Sequence, residues 1–229
     1  MSTKFSFKDE IAKLKSLTFK EKLDHIWEYY KIPIVALVMV LALLGYIINA
    51  IVNPRPEIEL FVAWNSDLAL TESLDNLSEM LVERLEFNPA EQDIIVSWFP
   101  VDSADPQMQM ATIQRMMAML TVGGIDLFVL GEEQLHRHAN NGIVTPLEEV
   151  LGAIRAMSPI AYELISERTV EITYEDFYGN TVENIMAIDI SGTPMLRDIG
   201  FGELEFLISF AVNATFADHA KQAVIAFFE

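Results

Sequence analysis

No cysteine occurs in these 229 residues. That absence excludes disulfides, thiolate metal sites, iron–sulfur clusters, cysteine nucleophiles and a lipidated cysteine anchor. Cations are scarce as well: fifteen Lys and Arg stand against 34 Asp and Glu, a net charge of −19. Binding a polyanion needs clustered Lys and Arg, so no nucleic-acid partner is expected. Also missing are a Gly-x-Ser-x-Gly elbow, a phosphate-cradling glycine loop, internal repeats and low-complexity tracts. Without a catalytic signature the chain is not expected to be an enzyme. What remains is 52% hydrophobic and 21% charged, the composition of a folded protein.

The longest apolar run is Ile32 to Val52, IPIVALVMVLALLGYIINAIV, without a single charge. As a helix, 21 residues span roughly 30 Å, the thickness of a bilayer core. A cleaved signal peptide has a short basic start and an apolar stretch of roughly 7 to 15 residues. Here a long segment precedes a longer run, and Ile48-Asn49-Ala50 puts a bulky residue where cleavage wants a small one. A retained anchor through residues 32–52 is therefore expected, with the lipid bilayer as its partner. Before the run seven lysines oppose five acids, which leaves +2; beyond Asn53 eight bases oppose 29 acids, which leaves −21. Basic residues stay cytoplasmic, so the N-terminus is expected inside and the C-terminal bulk outside a cell membrane.

Residues 1–31 are expected to form a cytoplasmic amphipathic segment. Thr18-Phe19-Lys20-Glu21 fits a capping box, and Phe19, Leu23, Ile26, Trp27 and Tyr30 recur at helical spacing. Trp27, Tyr29, Tyr30 and Lys31 suit the headgroup region, which predicts an interfacial helix turning into the membrane near Pro33. A docking helix for a cytoplasmic partner is the alternative. Residues 53–56, Asn-Pro-Arg-Pro, make a stiff linker.

The region 57–229 is predicted to be one three-layer α/β domain. Strands are expected over Glu57–Trp64, Asp93–Phe99 and Ile125–Leu130, with helices over Thr71–Leu85 and Asp105–Val122 between them. That alternation predicts a mainly parallel sheet. Met110, Ile113, Met117 and Leu120 share the predicted inner face of the second helix, which Gly123-Gly124 stops. After Leu151 the pattern turns β-rich: Val170–Tyr174 and Val182–Ile190 read as an inserted hairpin around Tyr178-Gly179-Asn180. Gly192–Gly202 reads as loop, Leu204–Val212 as a strand, and Thr215 as the start of a last helix.

Two stretches carry a resemblance. Met108–Val150 runs from a helix through Gly-Gly-Ile-Asp-Leu-Phe-Val-Leu and Gly131-Glu-Glu-Gln-Leu to Asn141-Gly-Ile-Val-Thr-Pro-Leu-Glu-Glu; Phe210–Lys221 adds an Asn213 turn and an acid-x-Ala helix. Both resemble extracellular solute-binding proteins of the type 2 periplasmic binding class. The block Thr18–Ile48, with Phe-Lys-Glu-Lys and Trp-x-Tyr-Tyr-Lys-x-Pro, resembles single-span membrane proteins of Gram-positive bacteria. The resemblance implies a solute-binding fold, but Leu151–Ile190 is too short for a second lobe, so one lobe is implied. The membrane span would take the place of the family's lipidated cysteine.

In an open α/β sheet ligands bind beyond the carboxyl ends of the strands. Trp64, Asn65 and Asp67, Asp102 and Ser103, Gly131 and Glu132, and Asn213 follow the expected strands. Trp64, Asn65, Asp102, Glu132 and Asn213 are the candidate ligand-binding residues, an aromatic beside amides and carboxylates that suits a small polar solute. Ser66, Asp67, Ser103 and Asp105 equally read as helix N-caps, and Trp64 as filling of the sheet edge. Glu132 and His136 are four apart, yet so few ligand candidates accompany them that neither a metal nor a cofactor is expected. The methionines of 108–119 read as adaptable packing. Two functional readings stay open: a binding or sensing accessory module, and a structural or interaction subunit of a membrane complex with a vestigial cleft.

Overall fold

The computed structural model describes residues 19–52, 56–66, 71–100, 105–175 and 179–229. The chain divides into two units, Met1–Arg55 and Pro56–Glu229. In the first, one helix, α1, runs over Phe19–Val52 and continues through Pro33. The expected turn at Pro33 is thus replaced by continuous helix; apolar residues on both sides favour that, and proline is tolerated in helices suited to a bilayer. Lys31–Val52 is long and apolar enough to cross a membrane, and none of it is buried by the chain. The capping box falls on Thr18, outside the described residues, as does the linker at 53–55.

The second unit is an α/β domain built on a six-stranded sheet. Its elements are β1 (Glu57–Asn65), α2 (Thr71–Arg84), β2 (Gln92–Trp98), α3 (Pro106–Thr121), β3 (Leu127–Leu130), α4 (Glu132–Asn140), α5 (Glu148–Met157), α6 (Pro159–Ser166), β4 (Thr169–Glu175), β5 (Thr181–Asp189), α7 (Pro194–Asp198), β6 (Leu207–Phe210) and α8 (Ala217–Ala226). The strand order is β2-β1-β3-β6-β5-β4.

The sheet is mixed. β1 pairs in parallel with β2 and β3, as the alternation of strands and helices predicts. From there the direction reverses: β3 with β6, β6 with β5 and β5 with β4 are antiparallel. The hairpin is not a separate insertion, because Ile188 and Asp189 of β5 pair with Ile208 and Leu207 of β6. Its turn includes Gly179 at φ +78°, a left-handed conformation that only glycine adopts without strain; Tyr178 lies outside the described residues.

Side-chain alternation along the strands creates two cores. Leu60, Val62 and Trp64 of β1 with Leu127 and Val129 of β3 face one side, where α2, α5, α6, α7 and α8 supply Leu77, Leu81, Ile154, Ile165, Leu196 and Val224. Phe61 and Ala63 with Phe128 and Leu130 face the other, under Met116 and Leu120 of α3 and Leu135 and Ala139 of α4. All four residues of β3 are buried, which explains a strand with no polar alternation.

Several local expectations shift. The inner face of α3 is Met116 and Leu120, while Met110, Ile113 and Met117 are exposed; the helix is rotated from the predicted face. Gly192–Gly202 contains α7. Thr215 does not cap α8: its hydroxyl donates to the Gly123 carbonyl at 2.6 Å, and no side chain caps that helix.

Candidate functional site

The carboxyl edge of the parallel strands is where β1, β2 and β3 deliver Asn65, Trp98 and Leu130. Trp64 precedes that edge and turns inward. It is 0% exposed, its ring centroid 5.3 Å from Phe201 and 4.7 Å from Phe206. Both phenylalanines lie in the segment between α7 and β6, which folds over the strand end. The indole is therefore core, and the expectation that it forms a ligand shelf is corrected by this packing.

Asn65 points to the opposite side of the sheet and is also fully buried. Its amide Nδ2 donates to Nε2 of His138 at 2.9 Å, while its Oδ1 has no hydrogen-bond partner. The edge of the His138 ring meets Phe128, with centroids 5.0 Å apart. Asn65 and His138 thus pin α4 to β1 beneath the surface, which places the amide out of a solute's reach. Asp102, Asp67 and Ser103 lie outside the described residues. At the start of α3 the capping reading is realised: Asp105 accepts from the Gln107 N–H at 2.9 Å.

Asn213 is exposed at the other end of the domain. β6 runs antiparallel to β3, with Leu130 opposite Leu207 and Leu127 opposite Phe210. The end of β6 therefore lies beside the start of β3, and Asn213 cannot share a site with Glu132. The direction of a strand is set by its partner, and nothing in LISF itself records it.

Glu132, by contrast, lines a cleft of ≈ 380 Å³ at the carboxyl end of β3. Gly131 and Glu132 contribute the start of α4; Asp189 and Ser191 the end of β5; Glu205 the approach to β6; Val170 and Leu207 the apolar wall. The walls are fixed by hydrogen bonds. Ser191 donates its N–H to Asp189 Oδ1 (2.8 Å), its Oγ accepts from Phe206 N–H (3.0 Å), and its carbonyl accepts from the Arg168 guanidinium (2.8 Å). Asp189, Ser191 and Glu205 carry no local signal of this place, because it depends on β5 and β6 joining the sheet rather than forming a detached hairpin. Three carboxyl side chains around one small cleft suit a cationic group and disfavour an anion. Among the described residues no cluster of three His, Asp or Glu could hold a metal ion.

Among the described residues the one buried carboxyl is that of Asp126, in the Gly-Gly-Ile-Asp run. Its Oδ2 accepts from Phe61 N–H at 2.9 Å and its Oδ1 from Phe216 N–H at 2.8 Å. Burial pushes its pKa above the ordinary 3.8, against the opposing pull of backbone donors at Phe216, Phe61 and Thr215 and the charge of His219. Asp126 ties β1, β3 and the segment before α8 together at the amino edge, away from the cleft. It is a structural carboxyl that the sequence presented only as part of a strand. No family model, curated protein or solved structure matches this chain.

Proposed function

We propose that the chain is a single-pass membrane protein whose extracytoplasmic domain binds a small polar solute bearing a cationic group, as an accessory binding or sensing module. The observation that carries this reading is the cleft formed by Glu132, Asp189, Ser191 and Glu205 at the carboxyl end of β3, where α/β sheets bind ligands. The order β2-β1-β3 followed by a reversed strand from the far end of the sequence supports the resemblance to one lobe of a solute-binding protein. Lys31–Val52 serves as the anchor. The charge contrast across the uncharged run 32–52, +2 before and −21 after, supports a cytoplasmic N-terminus.

The test is thermal unfolding of the full chain in detergent against diamines, cationic amino acids, neutral sugars and carboxylic acids. A true ligand at a hundred times its Kd stabilises by about 2.7 kcal/mol. Saturable stabilisation by amines, lost in Glu205→Gln and in Asp189→Asn, is expected; stabilisation by acids instead would overturn the charge argument. No stabilisation by any class, with stable association of the chain in membranes, leaves the second reading, an interaction subunit with a vestigial cleft. The exposed apolar face of α3 is the observation in favour of that second reading.

A further inference from the structure

A groove of ≈ 620 Å³ runs between the end of α2 and the start of β2, with Val82, Phe87 and Pro89 as its apolar lining. The turn that shapes it is held by hydrogen bonds. Phe87 N–H donates to the Val82 carbonyl (3.0 Å) and Gln92 N–H to the Asn88 carbonyl (2.8 Å), while Ala90 N–H donates to Asn88 Oδ1 (3.2 Å). The Phe87 ring is set edge-on against the ring of His219, with centroids 4.9 Å apart. The groove is therefore built by the fold, in the size range that takes a bulky side chain or a small ligand.

Its other wall is charged. The inner face of α2 is fixed by buried Leu74, Leu77 and Leu81, which leaves Glu72, Asp75, Glu79 and Glu83 exposed on the outside at spacings of three, four and four. Glu86 continues the row past the helix end, and Glu79, Glu83 and Glu86 line the groove. Among the described residues the ion pairs are Arg137 with Glu133, His219 with Glu59 and Lys221 with Asp218, so none of the five carboxylates of the row is paired. Carboxylates three or four apart on a helix repel, and those nearest its carboxyl end also oppose the helix dipole. The row weakens the helix that carries it, and cations laid along it relieve that cost.

We propose that this groove docks a basic segment of a partner protein, one bulky apolar side chain seated among Val82, Phe87 and Pro89 and Lys or Arg residues paired with the row along α2. Charge complementarity selects the sign of the occupant, because an acidic segment is repelled by all five carboxylates and a neutral one leaves them uncompensated. Length and apolar lining together select its class. Glu72 to Glu83 alone covers roughly 16 Å of helix, more than a single amine reaches, and a bare polyamine has no group to fill the apolar lining.

The inference uses only the α/β domain, and depends neither on the cleft at Glu132 nor on the membrane anchorage proposed above.

The test is fluorescence anisotropy of a labelled peptide of about sixteen residues, with one Phe near its end and about four Lys at spacings of three and four on an alanine background, added to the full chain in non-ionic detergent. Saturable binding is expected, weakened about tenfold in the double variant Glu79→Gln/Glu83→Gln and about tenfold on going from about 50 to about 300 mM NaCl. Glu163→Gln/Glu167→Gln makes the same change of net charge at exposed positions on and just after α6, and is expected to bind as the unaltered chain does. The groove variant loses like-charge repulsion, so its unfolding temperature is expected to match or exceed that of the unaltered chain, and lost binding then reports the groove and not the fold. The apolar contact is tested on the peptide, where Ser in place of Phe is expected to weaken binding about tenfold. Equal weakening by the control pair, equal binding of the Ser peptide, displacement by spermine as effective as by unlabelled peptide, or no saturable binding each overturns the proposal.

Discussion

Among the described residues, five helices close one face of the sheet and two close the other. Toward α2, α5, α6, α7 and α8 the contact is a continuous apolar cluster in which Trp64 is the largest side chain. Toward α3 and α4 the cluster is smaller and includes polar links: Asn65 to His138, and the Ser209 hydroxyl to the Met186 carbonyl at 2.6 Å. The difference teaches where stability and recognition reside. The heavily covered face holds the fold mainly through apolar packing, with the Ser78 hydroxyl donating to the Ile94 carbonyl between α2 and β2; the lightly covered face leaves a helix with apolar surface to spare.

The comparison is broken most directly at Trp64. Trp64→Ala is expected to cost about 3–5 kcal/mol in chemical denaturation, since it empties a large site beneath Phe201 and Phe206. A loss under about 1 kcal/mol would place the indole outside the main core. On the other face, His138→Ala is expected to cost about 1–3 kcal/mol by stranding the buried Asn65 amide. The double variant with Asn65→Ala should cost less than the sum of the two single changes, and simple additivity would deny the coupling.

Asp126 sharpens the contrast through pH. Its folded pKa lies above 3.8, so the folded state holds a proton that the unfolded state releases. The stability from this group is complete below pH 3.8 and is lost as pH rises through the raised folded value. Denaturation midpoints of the unaltered chain and Asp126→Asn, compared from pH 3 to pH 7, are expected to differ in slope within that window. Parallel curves would show that the backbone donors offset burial fully. The smallest effect is expected on α3, where Met110→Gln should change monomer stability by no more than about 0.5 kcal/mol, read in detergent.

Sequence periodicity located the apolar span, the first three strands and the helices between them, because each carries a local pattern with one solution. It failed at α3 for a physical reason. Met108, Met110, Met116, Met117 and Met119 place apolar groups around the whole helix, so no unique inner stripe exists in the residues. Helices α5 and α6 were missed although Ser158-Pro159 marks a start, with Ser158 Oγ accepting from Ala161 N–H at 3.3 Å. Glu132 was legible because a parallel strand leading into a helix presents its first residue at the carboxyl edge. Asp189 and Glu205 were not, since their place depends on how β5 and β6 join the sheet.

The position of β6 has a consequence for biogenesis. It sits between β3 and β5, yet it follows every other strand in the chain. Its Phe210 pairs with Leu127 of β3, so the ladder closes only after more than eighty intervening residues have been synthesised. Until then β3 and the β4–β5 hairpin present open edges side by side, a template for wrong pairing. A ribosome that stalls ahead of residue 207 would leave a nascent domain split down its middle. That window is where a holding chaperone has most to protect.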